Sequence, residues 1–487
     1  MFPLVLAFII RATALIRNRS FWLDDVLITT TASDSFLHLM DGTNNFYIGH
    51  GPLPIFLLHG ILRITQVEFL LRLPSAIATI LIIIPFFRFV SLVFSTRIAK
   101  TATLFVSCSL YLTEFGNELK GYPLLLLFEM WYAYFFVRYI QSQRKNDLVG
   151  VLFFGSCALW TDYGFLWFLI VMWLSLPILC KHFRVHLWEI IQRLLLVHAG
   201  IMLSYTWYWI KFANYLSTTK GDSGGLDVFR MKPTLQSAWI ITQRYLFGNF
   251  GHLSRLLENN FFQIAGLLYI PLLISGVVKL ILDMRKKMFV GWIALLWFIV
   301  PIGASMLISI YVFHQNMLID YHVMIALLGL YVSIAWIIDN HPTIRRVVIA
   351  IFIVTNLMGF MTFLSQVNFP GKYDWKNFAL KTSVLVRSSE CLIFSDQFPE
   401  AYEYYFKTIT GKPLTSKPQT MIMEQNSYNR SIEHVMEMKT NVCLISASYP
   451  DRYFIEPRLK EASISSRLSE QTILRTEDLV LRCFHEE

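Results

Sequence analysis

Apolar runs of about 20 residues recur along almost the whole chain, and nothing else constrains the fold as strongly. Such a run finds no water for its peptide groups inside a bilayer, so it can cross only as a helix that satisfies them internally. The runs lie at roughly 69–94, 101–117, 122–142, 148–161, 163–180, 187–209, 261–282, 289–312, 318–338 and 345–365. Of the 487 residues, 55% are hydrophobic and only 15% charged, more apolar surface than a soluble domain needs. The stretch Phe2 to Ile16 resembles a signal-peptide core. Arg11 interrupts it, however, and no small-residue cleavage site follows, so it reads as a retained first span. The expectation is a polytopic α-helical membrane protein with about 11 transmembrane helices. Segment 52–64 is too short to cross and reads as an amphipathic helix lying at the interface. The closely spaced runs 148–161 and 163–180 read as a hairpin.

Lys and Arg mark alternate junctions: Arg97 with Lys100, Arg144 with Lys145, Lys181 with Arg184, Arg285 with Lys286 and Lys287, and Arg345 with Arg346. The positive-inside rule makes these junctions cytoplasmic. It then places 17–68, 115–121, 210–260 and everything after 366 on the far side; only Arg17 and Arg19 go against the pattern. Cytoplasmic loops and contacts with membrane lipids account for the net charge of +9, and no nucleic-acid partner is expected. In the absence of an obvious retention signal, the expected location is a bacterial inner membrane with the C-terminal part outside the cytoplasm. An archaeal membrane fits nearly as well.

Beyond Phe369-Pro-Gly371 the character changes. Strand-like runs at 391–394, 442–446 and 479–482 alternate with helix-like polar segments at 400–408 and 431–439. That alternation predicts a small C-terminal α/β domain over 367–487, following a transmembrane domain over 1–366. Cys391, Cys443 and Cys483 fall on or beside these runs and read as core packing rather than disulfides. None of the six cysteines has a close Cys or His partner at metal-ligand spacing.

Polar groups collect on the predicted outer face. The first outer loop carries Asp24, Asp25, Asp34, His38, Asp41, His50 and His59. The next outer turn reads Glu114-Phe-Gly-Asn-Glu118-Leu-Lys120-Gly-Tyr122-Pro123; a third holds Asp162-Tyr163, and a fourth His314-Gln-Asn and Asp320-Tyr321-His322. Two adjacent carboxylates at the mouth of a span are expensive to hold there, which makes Asp24 and Asp25 functional candidates by default. A carboxylate so placed suits a general base that deprotonates an acceptor hydroxyl while a sugar leaves a lipid phosphate. Lys120 or His50 would neutralise the departing phosphate.

Four segments occur in an order that resembles the dolichyl-phosphate-mannose-protein mannosyltransferase type of GT-C glycosyltransferase. The aminoarabinose transferases that modify lipid A belong to the same group. The segments are Phe21-Trp-Leu-Asp24-Asp25, Gly49-His-Gly-Pro-Leu-Pro54, Arg72-Leu-Pro-Ser75 and Glu118-Leu-Lys-Gly-Tyr122. The resemblance implies that Asp24 is the catalytic first-loop carboxylate and Asp25 the acidic residue beside it. It makes His50-Gly-Pro-Leu the opening of a juxtamembrane helix. Glu118, Lys120 and Tyr122, with His50 and Arg72, become the donor-phosphate group; Asp162, Tyr321 and His322 are further candidates. Lys120 stands where the family usually has Arg, and Asp320-Tyr321 where many members have Arg-Tyr. Tyr373-Asp-Trp-Lys376 is similar to the family's Asp-Trp-Arg motif before the C-terminal extracytoplasmic domain. The implied donor is a polyprenyl-phosphate-linked sugar, usually transferred with inversion to a lipid, glycan or protein acceptor.

Each residue also has a plainer reading. Asp24 and Asp25 suit a helix start, Lys120 can snorkel beside Glu118, and Arg72 can anchor a span. Asp162, Tyr321 and His322 can serve as hydrogen bonds between spans. No cofactor is required, although a hard divalent cation would suit the two Asp carboxylates. A lipid or sugar transporter should show paired halves and ionisable groups at the midplane, and no such repeat is visible. An O-antigen ligase or polymerase is a nearer rival, because the 210–260 loop carries Lys211, Lys220, Arg230, Lys232, Arg244 and Arg255. With Gly221-Asp-Ser-Gly-Gly225 at its tip, the same loop reads as a lid.

Overall fold

A computed structural model describes residues 2–17, 21, 23–41, 51–211, 233–248, 271, 274–276, 278, 290–313, 322–339 and 341–365. In the C-terminal part it describes 375–376, 378–382, 392–395, 399–410, 419–420, 442–447, 468–475 and 479–486. The chain forms two compact units, Met1–Arg17 with Thr31–Ser365, and Asn18–Thr30 with Gln366–Glu487.

The helices of the first part run α1 Phe2–Ile16, α2 Leu23–Ala32, α3 Phe36–Asp41, α4 Leu53–Leu62, α5 Glu68–Leu81, α6 Ile83–Val93, α7 Thr96–Cys108 and α8 Leu110–Phe115. They continue with α9 Tyr122–Ser142, α10 Lys145–Thr161, α11 Gly164–Phe183, α12 Leu187–Ser204, α13 Leu235–Phe247, α14 Gly291–Ile308, α15 Ile325–Ile338 and α16 Pro342–Ser365. Among the described residues, six helices are long and apolar enough to cross a membrane: Glu68–Val93, Tyr122–Ser142, Gly164–Phe183, Leu187–Ser204, Gly291–Tyr311 and Pro342–Met361.

Other expected spans take different forms. The first is the shorter apolar helix α1, and the run 318–338 contributes α15. Run 101–117 breaks at Ser109 into α7 and α8. The expected hairpin is present as α10 and α11, joined at Asp162-Tyr163. Segment 52–64 forms α4, as its length requires. Run 261–282 lies almost wholly outside the described residues.

Local signals set the helix ends. Ser95 caps α7, its Oγ accepting from the Ile98 N–H at 3.2 Å. Pro123 opens α9, which stops where Gln143 turns left-handed at φ 54°. Helix α15 is apolar on every side and buried on nearly every side, so it occupies the middle of the bundle. Lipid is as apolar as Leu, so the helices are held by close packing rather than by hydrophobic burial. Trp297 of α14 shows this, stacked 4.6 Å from Phe89 and edge-on to Phe168 at 5.1 Å. Such ring pairs contribute about 0.5–1.5 kcal/mol each.

Ion pairs join junctions that the charge pattern assigned to one side. Arg97 donates from Nε and Nη2 to the two Asp339 oxygens at 2.6 and 2.8 Å, and Arg345 reaches Asp339 at 3.9 Å. The start of α7 therefore meets the α15–α16 junction.

In the second unit the Phe21 N–H donates to the Tyr405 hydroxyl, and the Phe21 ring lies 6.0 Å from Tyr404. Tyr404 and Tyr405 belong to helix α17, Pro399–Thr410. The sheet is five-stranded in the order β2-β1-β3-β5-β4, from β1 Leu392–Ser395, β2 Gln419–Thr420, β3 Val442–Ala447, β4 Leu468–Arg475 and β5 Leu479–Glu486. Strands β2, β1 and β3 are parallel, whereas β5 is antiparallel to both β3 and β4. The three strand-like runs appear as β1, β3 and β5. Strands β2 and β4 carried no clear alternation, and the expected helix at 431–439 lies outside the described residues. The β3–β5 register sets Cys443 opposite Cys483.

Candidate active site

Three turns of the helical unit meet at the end opposite the Arg97–Asp339 pair. The α8–α9 turn supplies Glu118 and Lys120, and α9 begins with Tyr122. Lys120 Nζ lies 3.8 Å from Glu118 Oε2, and both side chains are largely buried. That separation exceeds a hydrogen bond, so the attraction is Coulombic. The same ammonium is 6.0 Å from the centre of the Tyr122 ring. Tyr122 meets His322 edge-on at 5.8 Å, just before α15. His322 Nδ1 is in turn 3.8 Å from Asp162 Oδ1, in the α10–α11 turn. Asp162 Oδ1 also accepts from the Gly164 N–H at 2.7 Å, placing its negative charge at the positive end of α11.

Helices α4 and α5 hold the α8–α9 turn from two directions. Ser75 Oγ of α5 donates to the Lys120 carbonyl at 3.1 Å. Arg72 lies one turn earlier on the same helix and is 3% exposed, with buried Glu68 a turn before it. From α4, Pro54 approaches Gly121 so closely that a Cβ added there would sit 2.4 Å from Pro54 Cγ. A Cβ on Gly51 would sit 2.2 Å from the Trp160 carbonyl oxygen. Both glycines are required by space: Gly51-Pro-Leu-Pro54 is wedged between the end of α10 and the Lys120-Gly121-Tyr122 turn. His59 secures the other end of α4, its Nδ1 lying 2.8 Å from the Ala32 carbonyl oxygen.

The structure thus brings together Glu118, Lys120, Tyr122, Asp162 and His322, and sets Arg72 on the helix that holds their turn. Asp24 and Asp25 lie in the first turn of α2, Asp24 half-buried and Asp25 buried, within the second unit. His50 and Tyr321 lie outside the described residues. Among the described residues no three His, Cys, Asp or Glu side chains cluster as a metal site.

Sequence reading passed over one residue of interest. Glu129 of α9 is 1% exposed, and among the described residues neither carboxyl oxygen has a hydrogen-bond partner. It lies close enough to Asp162 for the two to interact electrostatically. Its signal was present, since an acid inside an apolar span is a functional candidate by position alone. The Pro54–Gly121 contact could not be read, because no sequence pattern reports which loop a glycine faces.

Residues 49–209 match the family described as Dolichyl-phosphate-mannose-protein mannosyltransferase. The chain shares its fold with ArnT from Cupriavidus metallidurans bound to undecaprenyl phosphate, at TM-score 0.55 and 11% identity over 99% of this chain and 97% of that one. The apo state of ArnT gives the same score and identity over 98% and 97%. The Archaeoglobus fulgidus oligosaccharyltransferase reaches TM-score 0.48 at 12% identity, over 99% of this chain and 73% of its own. No curated protein sequence matches the chain. The chain thus has the polytopic helical membrane fold of ArnT, and one stretch of it is similar to the mannosyltransferase family. The matched stretch contains Arg72, Glu118, Lys120, Tyr122 and Asp162.

Proposed function

We propose that this chain transfers a sugar from a polyprenyl-phosphate carrier to an acceptor hydroxyl or phosphate on the extracytoplasmic face of a membrane. One observation carries the reading: the mannosyltransferase-like stretch folds so that Lys120, Glu118, Tyr122, Asp162 and His322 converge where the juxtamembrane helix α4 begins. ArnT, whose fold the chain shares, has been seen with undecaprenyl phosphate, which supports a lipid phosphate as the donor's leaving group.

In the proposed reaction Asp24 takes the proton of an acceptor hydroxyl, and that oxygen attacks the anomeric carbon from the face opposite the phosphate. The carbon–oxygen bond to the phosphate breaks, and its electron pair stays on the lipid phosphate. Lys120, and His322 when protonated, stabilise the charge that develops there, while Arg72 acts nearby on α5. A phosphate leaves without a general acid, so one base and a cationic clamp suffice. Asp25 steadies the charge and position of Asp24. The enzyme sits in a bacterial inner membrane.

The test is transfer by purified full-length protein from a panel of labelled undecaprenyl- and dolichyl-phosphate sugars, with Lys120→Met and Asp24→Asn alongside. The reading requires turnover with at least one donor, lost in Asp24→Asn. A folded protein that turns over none of them would sink it.

A further inference from the structure

A second polar cluster lies deeper in the bundle, at the break between α7 and α8. Helix α7 stops at Ser109, whose ψ of 114° leaves the helical range, and α8 restarts at Leu110. A break frees peptide groups in a medium without water, where each must find a partner. Several of the freed groups find one in a side chain from elsewhere in the bundle. Arg11 of α1 donates from Nη2 to the Val106 carbonyl at 2.8 Å and from Nη1 to the Ser107 carbonyl at 2.6 Å. The Leu110 N–H donates to Asn356 Oδ1 at 2.9 Å, and the Leu112 N–H to Ser109 Oγ at 3.3 Å.

A second helix ends against the same residues. Helix α13 stops at Gly248, where φ is +81°, and its last carbonyls also need donors. Asn356 Nδ2 donates to the Leu246 carbonyl at 2.9 Å, and the Tyr331 hydroxyl to the Tyr245 carbonyl at 2.7 Å. Tyr331 Oη also lies 2.9 Å from Ser109 Oγ. A phenol has one proton and a carbonyl can only accept, so Tyr331 gives its proton to Tyr245 and takes one from Ser109. Two residues, Asn356 on α16 and Tyr331 on α15, therefore each bind the start of α8 and the end of α13.

The consequence follows from what those helices lead to. Helix α8 is six residues long and runs straight into the Glu118–Lys120 turn, while α13 lies in the outer 210–260 segment. We propose that Asn356 and Tyr331 are positioning residues that lock the donor-phosphate turn to helix α13, so that the two move as one piece. The proposal rests on the function argued above for that turn. The plainer alternative is that the cluster only glues helices together, as buried polar groups in membranes often do.

The two readings separate in kinetics. Tyr331→Phe removes a single hydroxyl, and Asn356→Leu removes the amide bonds to both α8 and α13. Thr355→Val is the control, since among the described residues the Thr355 hydroxyl bonds only to Ile351 and Phe352 of its own helix. Lys120 already holds the donor phosphate in the ground state and holds it more strongly as charge develops, so a displaced turn raises KM roughly tenfold and lowers kcat as well. Thr355→Val leaves both constants unchanged. Mere glue would lower the active fraction, and kcat with it, at constant KM; that result, or wild-type kinetics in both variants, overturns the proposal. Should the wild type turn over no donor, the functional reading fails by itself. Positioning is then read from the labelling rate of Asn117→Cys in the reconstituted full chain, scored by peptide mass. Labelling at least about fivefold faster in the Asn356→Leu and Tyr331→Phe backgrounds supports the proposal, and an unchanged rate overturns it.

Discussion

Gly121→Ala isolates the contact that seats α4 on the Glu118–Lys120 turn. The added Cβ would lie 2.4 Å from Pro54 Cγ, 3.1 Å from Pro54 Cβ and 3.3 Å from Thr161 Cγ2. Carbon atoms pack at about 3.5–4.0 Å, so the turn and α4 must separate by about 1 Å or more. Pro54 cannot rotate its ring away. Gly121 itself has φ −72° and ψ −7°, a conformation alanine adopts freely, so backbone strain contributes nothing. Overpacking of this kind costs about 1–3 kcal/mol. A displacement of about 1 Å at a group that positions substrate costs up to about a hundredfold in rate. We expect kcat/KM for sugar transfer to fall between about tenfold and a hundredfold in a protein that still folds.

Pro54→Ala removes the clashing Cγ, so the double variant should recover much of the loss, with a coupling of about 1–2 kcal/mol. Gly60→Ala is the control on the same helix: a Cβ there meets nothing within 4 Å. It should leave transfer unchanged and, if anything, stabilise by about 0.5–1 kcal/mol. Transfer kinetics and thermal unfolding of the four-protein cycle decide the matter. Wild-type transfer by Gly121→Ala, or losses in the cycle that simply add, would refute the reasoning.

Other expectations follow from the same geometry. Lys120→Met should cut transfer by about a hundredfold or more and weaken inhibition by free undecaprenyl phosphate, whereas Lys120→Arg keeps most of both; equal losses would show that charge is not what Lys120 supplies. Asp24→Asn should abolish turnover while donor binding, followed by thermal shift, stays near wild type, and loss of binding as well would move Asp24 from base to anchor. Chelation by EDTA should leave transfer intact; loss restored by Mg²⁺ or Mn²⁺ would place a cation at Asp24 and Asp25. Glu129→Leu should raise the unfolding temperature, because a buried carboxyl without hydrogen bonds costs about 1–3 kcal/mol. A lower unfolding temperature would mean that Glu129 has a partner in the membrane.

The parts legible in the sequence were those governed by the bilayer. Run length marked the crossing helices, and basic residues sorted the turns so that Lys120, Asp162 and His322 came out on one face; their contacts now join them. The family resemblance added Arg72, Glu118 and Tyr122, which composition alone would not have selected. Two kinds of information stayed hidden. Strand β4, Leu468-Ser-Glu-Gln-Thr-Ile-Leu-Arg475, carries a bulge between Glu470 and Thr472 that breaks its alternation, so the period-two signal fails midway. The 210–260 stretch read as a loop because Arg244 and polar Gln236, Ser237 and Thr242 dilute its hydropathy. Thr234 and Ser237 nevertheless form a reciprocal capping box that starts α13 there.

The break at Ser109 shows why hydropathy is blind to the features that redirect a helix inside a membrane bundle. Ser107-Cys-Ser109 is too small and too weakly polar to interrupt an apolar run, so 101–117 reads as one span. What ends the helix there is the supply of partners from elsewhere: Arg11 about 95 residues away, Tyr331 and Asn356 more than 200. Without them, breaking the ladder inside a bilayer would cost several kcal/mol per orphaned group. With them the chain can turn early, so that Glu118 and Lys120 come back over Tyr122 rather than continuing outward in a straight helix. Isolated intramembrane polar residues such as Arg11, Asn356 and Glu129 are therefore the sequence positions to examine first. Arg11 and Asn356 each supply hydrogen bonds to peptide groups that no local pattern reveals. Glu129 supplies none, which is why its removal, and not theirs, is expected to stabilise the protein.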